Sequence, residues 1–322
     1  MKQINVALLG FGVVGRGSYN ILTNNSRLIE KQQGVRVRVT KILEINEAAI
    51  KASGLPKKLF TSDYNEILKD DSISVVAEMM GGLEPAHSFM LQALKAKKHV
   101  VSSNKAALAA FLPELKAAAR KNGVYLFYEA SVCGAIPVIT SIRDSLMVSD
   151  IFELRGIVNG TSNFILTQMA ENNLDYASAL KLAQKLGFAE ADPTADVEGI
   201  DSANKLCLLA DLCMDFYVKP DEIKRRGISR ISVKQLEDAK AKGCRIKLIA
   251  KAKKVKNGVS LSVKPELIKE GDPLYDVNYE FNGICIKAAG ADEIFLKGRG
   301  AGSLPTGSAV AGDIVNIAAR IR

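Results

Sequence analysis

The sequence predicts an α/β protein: a Rossmann-type doubly wound parallel sheet followed by a second, α+β domain. In the first 130 residues, short runs rich in Val, Ile and Leu alternate with helical patterns, as in a parallel sheet covered on both faces. Past Ala130 longer helices and strands of a mixed or antiparallel sheet follow. At 322 residues the chain has room for about two domains. We expect domains at 1–130 and 131–300, with the helix of 301–322 returning to the first.

The elements follow in order along the chain. The first domain has predicted strands at 4–10, 35–43, 74–80, 99–103 and 124–130, with helices at 84–97 and 113–121 among those between them. The second has predicted strands at 152–160, 245–255, 258–267, 283–290 and 293–300. Helices are predicted before residue 216, and the final helix has an apolar face of Val310, Ile314, Ile317 and Ile321.

Composition excludes several classes of protein. The net charge of +9 raises the possibility of nucleic-acid binding, but the basic run at 239–257 lacks aromatic residues for stacking bases and is better explained as a solvated face. No apolar run reaches the ~20 residues of a membrane span, and no signal-peptide pattern opens the chain, so we expect a cytoplasmic protein. The five cysteines have no C-x-x-C spacing, and the two histidines form no ligand cluster, which disfavours a zinc or histidine-triad enzyme.

A glycine motif follows the first strand and opens a helix. It consists of Gly10, Phe11, Gly12, Val13, Val14 and Gly15. Glycines at this spacing allow a tight turn and a close backbone approach to a pyrophosphate, and the helix N-terminus adds partial positive charge. The strand–turn–helix context therefore predicts that residues 1–130 bind NAD or NADP.

Glu44 ends the second predicted strand, where an acid can accept hydrogen bonds from the adenosine ribose of NAD. It lies 29 positions beyond Gly15, a longer interval than the usual ~20 residues. Lys57 and Lys58 offer the alternative of binding a ribose phosphate. The choice between NAD and NADP therefore stays open at this point.

The window GFAEADPTADVEGIDSANKL, residues 187–206, carries five acids before its first cation, Lys205. Asp201 and Lys205 are i, i+4 neighbours on a helix predicted to start near Asp196, and an exposed pair of this kind is worth only ~0.3–0.5 kcal/mol. Lys105 follows a sheet strand at the edge where open α/β folds bind ligands. If both lysines face one cleft with Glu190, Asp196 and Asp201, that cleft would hold an ammonium-bearing substrate beside a proton donor.

Seven segments in order resemble the homoserine dehydrogenase family across essentially the whole chain. They are GFGVVG, GGLEP (81–85), HVVSSNKA (99–106), YEASVCGAIP (128–137), GIVNGTSNFIL (156–166), the 187–206 window and GRGAGSLPTGSAV (298–310). The resemblance implies reversible, NAD(P)-dependent interconversion of L-homoserine and L-aspartate 4-semialdehyde, a step in threonine and methionine biosynthesis. It also implies that residues 131–300 form a catalytic and dimerisation domain, and that the protein is a homodimer.

The resemblance also implies roles for single residues. The glycine motif would bind the pyrophosphate, Ser103 and Lys105 would lie by the nicotinamide and substrate, and Gly302 would lie near the cofactor. Glu190 and Asp201 would hold the substrate, Asp196 would line the same pocket, and Lys205 would donate the proton. A loop would bind a monovalent cation such as Na⁺, largely through carbonyl groups; it contains Glu129, Val132, Gly134 and Ile136.

The sequence departs from the family in two places. Many members have Arg-Asp near the end of the second strand where this chain has Ile45-Asn46, which leaves NADP preference open. Longer members append a regulatory ACT domain, whereas this sequence stops at Arg322, so threonine inhibition through that domain is not expected. Two alternatives remain: a related dehydrogenase for another amino acid or semialdehyde, and a catalytically silent nucleotide sensor. Aspartate-semialdehyde dehydrogenase is disfavoured because no cysteine has an activating setting.

Overall fold

The computed structural model describes residues 2–321. Contacts divide the chain into two units: one is the described part of Met1–Ala135 with Ala301–Arg322, and the other is Ile136–Gly300. The second unit is thus an insertion in the chain of the first.

The strands and helices are named in chain order. The strands are β1 (Lys2–Leu9), β2 (Val35–Leu43), β3 (Phe60–Thr61), β4 (Ile73–Glu78), β5 (His99–Ser102), β6 (Leu126–Phe127), β7 (Ile151–Ile157), β8 (Lys224–Arg225), β9 (Cys244–Val255), β10 (Gly258–Lys269), β11 (Phe281–Ala288) and β12 (Asp292–Arg299). The helices are α1 (Val13–Asn24), α2 (Ser26–Gln33), α3 (Glu47–Ser53), α4 (Tyr64–Leu68), α5 (Ala86–Lys95), α6 (Lys105–Asn122), α7 (Val138–Thr140), α8 (Gly160–Asn172), α9 (Tyr176–Lys185), α10 (Thr194–Val197), α11 (Ile200–Met214), α12 (Val233–Ala241) and α13 (Ser303–Arg320).

The first unit is built on a six-stranded sheet in the order β3-β2-β1-β4-β5-β6, with every neighbouring pair parallel. This order confirms the predicted doubly wound α/β class. The strand order reverses between β1 and β4, which is the place where open α/β sheets bind their ligands.

The C-terminal helix α13 belongs to the core of the first unit. Val310, Ile314 and Ile317 are wholly buried in the same cluster as Val6 and Leu8 of β1. Helices α13 and α1 pack closely through glycines, since a Cβ at Gly17 would lie 2.2 Å from the carbonyl oxygen of Ser303. Burial of this apolar stripe therefore fixes the last helix against the helix that follows the glycine motif.

The second unit has a mixed six-stranded sheet in the order β12-β11-β7-β9-β10-β8. All neighbouring pairs are antiparallel except β10 and β8, which are parallel. Helices α8, α11 and α12 pack against β9, and Ile249 of that strand is wholly buried. The α+β class predicted for this half of the chain is confirmed.

Two helix starts differ from the prediction. The helix predicted over 113–121 begins at Lys105, because Asn104 caps it by accepting from the N–H of Ala107. Pro113 lies inside this helix, whose buried residues Leu108 and Leu112 provide the packing that offsets a lost backbone hydrogen bond.

The helix predicted to start near Asp196 is divided into α10 and α11. Gly199 separates the two with φ of +76°, a left-handed conformation that favours glycine. Lys205 therefore lies in the second turn of a helix that begins at Ile200.

Candidate active site

The glycine motif forms the turn between β1 and α1. A Cβ at Gly15 would lie 2.2 Å from the Gly10 carbonyl oxygen, so only glycine fits, whereas a Cβ at Gly12 would meet no atom within 4 Å. Helix α1 begins at Val13 with no side-chain cap and no acid in its first turn. The open space above Gly12 and the positive helix end suit the pyrophosphate of a dinucleotide.

Glu44 follows β2 and is bound to the glycine motif. Its Oε2 accepts from the N–H of Phe11 over 2.9 Å, and its Oε1 accepts from the N–H groups of Ile45 and Asn46, also over 2.9 Å. Phe11 turns its ring into the core, where it packs edge-on against Tyr19. Glu44 therefore places one negative charge at the end of β2 and ties that strand to the motif.

Ser103 and Lys105 lie just beyond the carboxyl end of β5. The N–H of Ser103 donates to the carbonyl of Glu78 over 3.1 Å, and Lys105 is the first residue of α6. Gly302 precedes α13 in the same unit, with φ of +125°. The next residue, Ser303, donates from Oγ to the carbonyl of Val13 over 2.8 Å. In the first unit, the segment that begins with Gly302 therefore contacts the predicted pyrophosphate loop.

A buried ion pair occupies the second unit. Lys205 Nζ donates to Asp201 Oδ2 over 2.7 Å and to the carbonyl oxygen of Val158 over 2.7 Å. The side chains of Lys205 and Asp201 are only 10% and 6% exposed. The alternative of an ordinary exposed i, i+4 pair is therefore wrong: the lysine is held inside the unit.

Asn159 was not singled out from the sequence, yet it joins the two aspartates. Its Nδ2 donates to Asp196 Oδ1 over 2.7 Å and to Asp201 Oδ2 over 2.9 Å. Its Oδ1 accepts from the N–H of Ser162 and caps α8. Asparagine before a helix is a capping signal in its own right, but the sequence gives no sign that its amide nitrogen reaches residues 196 and 201.

Burial raises the pKa of Asp196, and the neighbouring charge of Asp201 raises it further, against the lowering effects of the Asn159 hydrogen bond and of Lys205. Asp196, Asp201 and Lys205 therefore form one electrostatic cluster, which we call the Asp–Lys cluster. Glu190 is exposed on the loop before α10, and within residues 2–321 its carboxylate has no hydrogen bond or ion pair to this cluster. Asp192 is exposed as well and accepts from the N–H of Thr194.

The predicted cation loop begins with a buried turn. Glu129 and Val132 are buried, the N–H of Val132 donates to the Glu129 carbonyl over 3.1 Å, and Gly134 has φ of +57°. Ile136 begins the second unit, and its carbonyl accepts from Val138 over 2.8 Å. No group of three or more His, Cys, Asp or Glu side chains in the described chain could hold a metal ion. The carbonyl-based cation site stays a prediction.

The two units divide the tasks of an NAD(P)-dependent oxidoreductase: the first has the sheet and loop for a dinucleotide, and the second holds a buried ammonium beside carboxylates. Two family models match. Residues 10–129 match the NAD-binding domain of homoserine dehydrogenase, and residues 137–315 match homoserine dehydrogenase. The chain belongs to the homoserine dehydrogenase family, as its sequence predicted.

Relatives and solved structures agree. Homoserine dehydrogenase of Bacillus subtilis is 38% identical over 100% of this chain and 74% of its own length. The crystal structure of a homoserine dehydrogenase from Thiobacillus denitrificans superimposes with a TM-score of 0.95 at 39% identity, covering 99% of this chain and 74% of that one. A hyperthermophilic archaeal homoserine dehydrogenase solved with NADPH has a TM-score of 0.82 at 27% identity, covering 98% and 97%. Within residues 2–321 no helix is long and apolar enough to cross a membrane.

Proposed function

We propose that the protein interconverts L-homoserine and L-aspartate 4-semialdehyde with Lys205 as the proton donor and acceptor. The observation that carries this role is the buried Lys205–Asp201 hydrogen bond. An ammonium in a poorly solvated place both stabilises negative charge developing on a carbonyl oxygen and can deliver the proton to it. Bound NAD(P)H would supply the hydride. Lys105, at the start of α6, is proposed as the second lysine of the reaction.

The substrate's α-ammonium needs anionic partners, and the Asp–Lys cluster provides them. Asp196 and Asp201 carry two carboxylates for one lysine, so the cluster has net negative charge when both are ionised. Asn159 is neutral and leaves this charge unchanged. Its amide nitrogen donates to both carboxylates and so holds them close together. Glu190 is proposed as a further substrate-binding acid on the resemblance alone.

We propose that the protein prefers NAD to NADP, and the end of β2 supports this. The carboxylate of Glu44 already accepts from three backbone N–H groups at the end of β2, where a ribose phosphate would otherwise bind. A phosphate there would meet a fixed negative charge without free N–H donors. Lys51 and Lys57 line an adjoining cavity of about 970 Å³, but three glutamates, Glu44, Glu47 and Glu66, line it as well. A dehydrogenase that uses NADPH at this position would need Glu44 to move or be replaced.

Initial rates with L-homoserine, NAD and NADP at alkaline pH, with Na⁺ or K⁺ present, test both proposals. We expect turnover with NAD and a lower kcat/KM with NADP. Glu44→Gln should raise kcat/KM for NADP relative to NAD, whereas Glu47→Gln, in the same cavity, should leave the ratio unchanged. Folded protein that is inactive with both coenzymes would contradict the reaction, and a wild-type preference for NADP would contradict the coenzyme assignment.

Three further proposals rest on the resemblance. They are Na⁺ binding by the loop of Glu129, Val132, Gly134 and Ile136, a homodimer, and a cytoplasmic location. Omitting Na⁺ and K⁺ from the assay should lower the rate if the cation supports the site. Sedimentation velocity on the purified protein measures the oligomeric state.

A further inference from the structure

Glu78 is a buried acid that the proposed reaction does not use. It is the last residue of β4, with no exposed surface, and lies where the strand order of the first sheet reverses. Within residues 2–321 no Lys, Arg or His forms an ion pair with it. An unpaired carboxyl in such a place is costly, so its contacts must account for its presence.

Those contacts come from the loop after β4 and from the end of β5 with the loop that follows it. Ser102 Oγ donates to Glu78 Oε2 over 2.6 Å, and the N–H of Met80 donates to Oε1 over 2.8 Å. Asn104 Nδ2 lies 3.4 Å from the same Oε1. One carboxyl therefore binds the loop that leaves β4 and the loop that leaves β5.

Asn104 extends this network to the start of α6. Its N–H donates to Ser102 Oγ over 3.0 Å, its Nδ2 donates to the Gly82 carbonyl over 2.7 Å, and its Oδ1 caps α6 at Ala107. The backbone of Glu78 also accepts from the N–H of Ser103. Ser103 and Lys105 are thus placed by bonds that converge on Glu78.

The loop after β4 also borders the dinucleotide motif. Met79 and Met80 line a cavity of about 440 Å³ together with Gly10, Gly12 and Glu44. A Cβ at Gly10 would lie 3.0 Å from the Met79 carbonyl oxygen, so the two segments are in close contact. Moving the peptide at Met80 would therefore alter the wall of the cavity in which the coenzyme is proposed to bind.

We propose that Glu78 is a positioning residue, which holds the loops after β4 and β5 in register so that Ser103 and Lys105 face the bound coenzyme correctly. The proposal rests on the dinucleotide site of the proposed function. Glutamate suits this task because its two oxygens accept from Ser102 and Met80 at once, whereas a residue that only filled space would accept from neither. Burial raises the pKa of Glu78, and the hydrogen bonds from Ser102, Met80 and Asn104 oppose that rise without any counter-charge.

The test compares Glu78→Ala, Glu78→Gln and Ser102→Ala in the full-length protein. Gln keeps the volume and can still accept from Met80, but its amide N–H groups face Ser102 Oγ. We expect Glu78→Ala to raise the Kd for NAD at least tenfold and to lower kcat for L-homoserine more than it raises the homoserine KM. Glu78→Gln should restore most of the coenzyme affinity, and Ser102→Ala should give an intermediate loss. Glu153→Gln, a buried glutamate of the second unit paired with Lys253, is the control and should change neither constant.

Coenzyme Kd is measured by titration without substrate, so the result does not depend on whether homoserine is the substrate. Wild-type protein that binds NAD but does not oxidise homoserine would contradict the proposed reaction and leave the Kd comparison valid. If Glu78→Ala does not fold, Ser102→Ala decides, because it removes a donor to Glu78 and keeps the side-chain volume nearly unchanged. Folded Glu78→Ala or Ser102→Ala whose Kd and kcat stay within twofold of wild type would overturn the positioning role.

Discussion

Lys205 Nζ donates to Asp201 Oδ2 over 2.7 Å with both side chains buried. On an exposed helix surface the same i, i+4 spacing would be worth only ~0.3–0.5 kcal/mol. In the second unit, by contrast, removing one partner leaves a buried charge unpaired, which typically costs about 3–5 kcal/mol. Burial therefore distinguishes this pair from another i, i+4 pair, Arg225 and Asp221, whose aspartate is 94% exposed.

Replacing Lys205 by Met should abolish most turnover. The aliphatic length is kept and the proton donor is lost, so kcat should fall at least about 100-fold, as expected for a general acid. The Kd for NAD should not change, because the dinucleotide motif is in the first unit. Stopped-assay rates and a coenzyme titration measure both, with exposed Lys181→Met on α9 as the control. Near-normal turnover in folded Lys205→Met would return the pair to a structural role.

The variant Asn159→Ala should distinguish the role of Asn159 in capping α8 from its role in substrate binding. Loss of the α8 cap should destabilise the protein by about 1 kcal/mol, a typical value for an N-cap. Asp175→Ala removes the equivalent cap of α9, where Asp175 accepts from the N–H of Ser178 over 2.8 Å. Both variants should lose stability in urea unfolding, and Asn159→Ala should lose more, because the buried Asp201 also loses a hydrogen-bond donor. Only Asn159→Ala should raise the homoserine KM, because only Asn159 holds the Asp–Lys cluster. Equal kinetics in the two variants would contradict a role in substrate binding.

Protonation of Asp196 should lower kcat/KM on the acid side of the pH–rate profile. Its pKa is raised, mainly by burial, so it takes up a proton at a higher pH than an ordinary aspartate and then loses its attraction for the substrate ammonium. The kcat/KM for L-homoserine should fall with pH over that range, and Asp196→Asn should lower the plateau and flatten this fall. Because the raised pKa disfavours the folded carboxylate, stability attributable to Asp196 should decrease as pH rises from ~3.9 through the folded pKa. Exposed Asp192→Asn should leave the pH profile unchanged.

Lys247 should make the free energy of unfolding depend on pH in the neutral to alkaline range. It is 2% exposed and donates to Asn163 Oδ1, the Val277 carbonyl and Asn278 Oδ1, and burial lowers its pKa to about 7. An unfolded lysine titrates near ~10.4, so the unfolded state binds more protons in between, and stability should rise with pH from about 7 towards ~10. Lys247→Met should lack this rise relative to wild type.

Urea unfolding at several pH values gives the slope for Lys247→Met, with exposed Lys256→Met in the β9–β10 turn as the control. The control should keep the wild-type slope. Parallel pH dependence in wild type and Lys247→Met would show that Lys247 stays charged in the folded protein throughout this range.

Gly17→Ala should lower the free energy of unfolding several times more than a substitution at an exposed helix position does. The added Cβ would lie 2.2 Å from a backbone oxygen of Ser303, so α1 and α13 must move apart. Gly312→Ala, on the exposed side of α13 with no atom within 4 Å of the new Cβ, should instead stabilise by about 0.5–1 kcal/mol. Thermal unfolding of the two variants should thus shift in opposite directions, and a stabilised Gly17→Ala would contradict the close packing.

Much of the fold could be predicted because its strands are continuous apolar runs. The prediction of 35–43 matches β2 in full, and the long strands β9 and β10 were found within two residues. Strands β3 and β8 have two residues each, too few for a period, and only the register with a neighbouring strand defines them. The strand predicted at 124–130 is present but is only two residues long, as β6. Gly199 shows a further limit, since its left-handed turn divides a helix whose apolar spacing reads as continuous.

The candidate site was predictable in its residue types but not in its connections. Lys205 and Asp201 could be paired from their i, i+4 spacing, whereas their burial depends on packing that no local pattern records. The contacts of Asn159 join residues 37 and 42 positions apart in the chain, so no spacing rule reaches them. Glu78 is similar, because its partners Ser102 and Asn104 lie 24 and 26 positions away, on the strand β5 and just beyond it.

The position of α13 also bears on the order in which the protein is completed during synthesis. Residues 136–300 leave the ribosome as a whole before residues 303–320 are available, and at ~5–20 residues per second this interval lasts many seconds. Until then the nascent first unit lacks Val310, Ile314 and Ile317, and the apolar side chains of β1 and α1 that will contact them stay uncovered. The inserted unit can therefore reach its native state first, and the unit begun earliest at the N-terminus is the last to close.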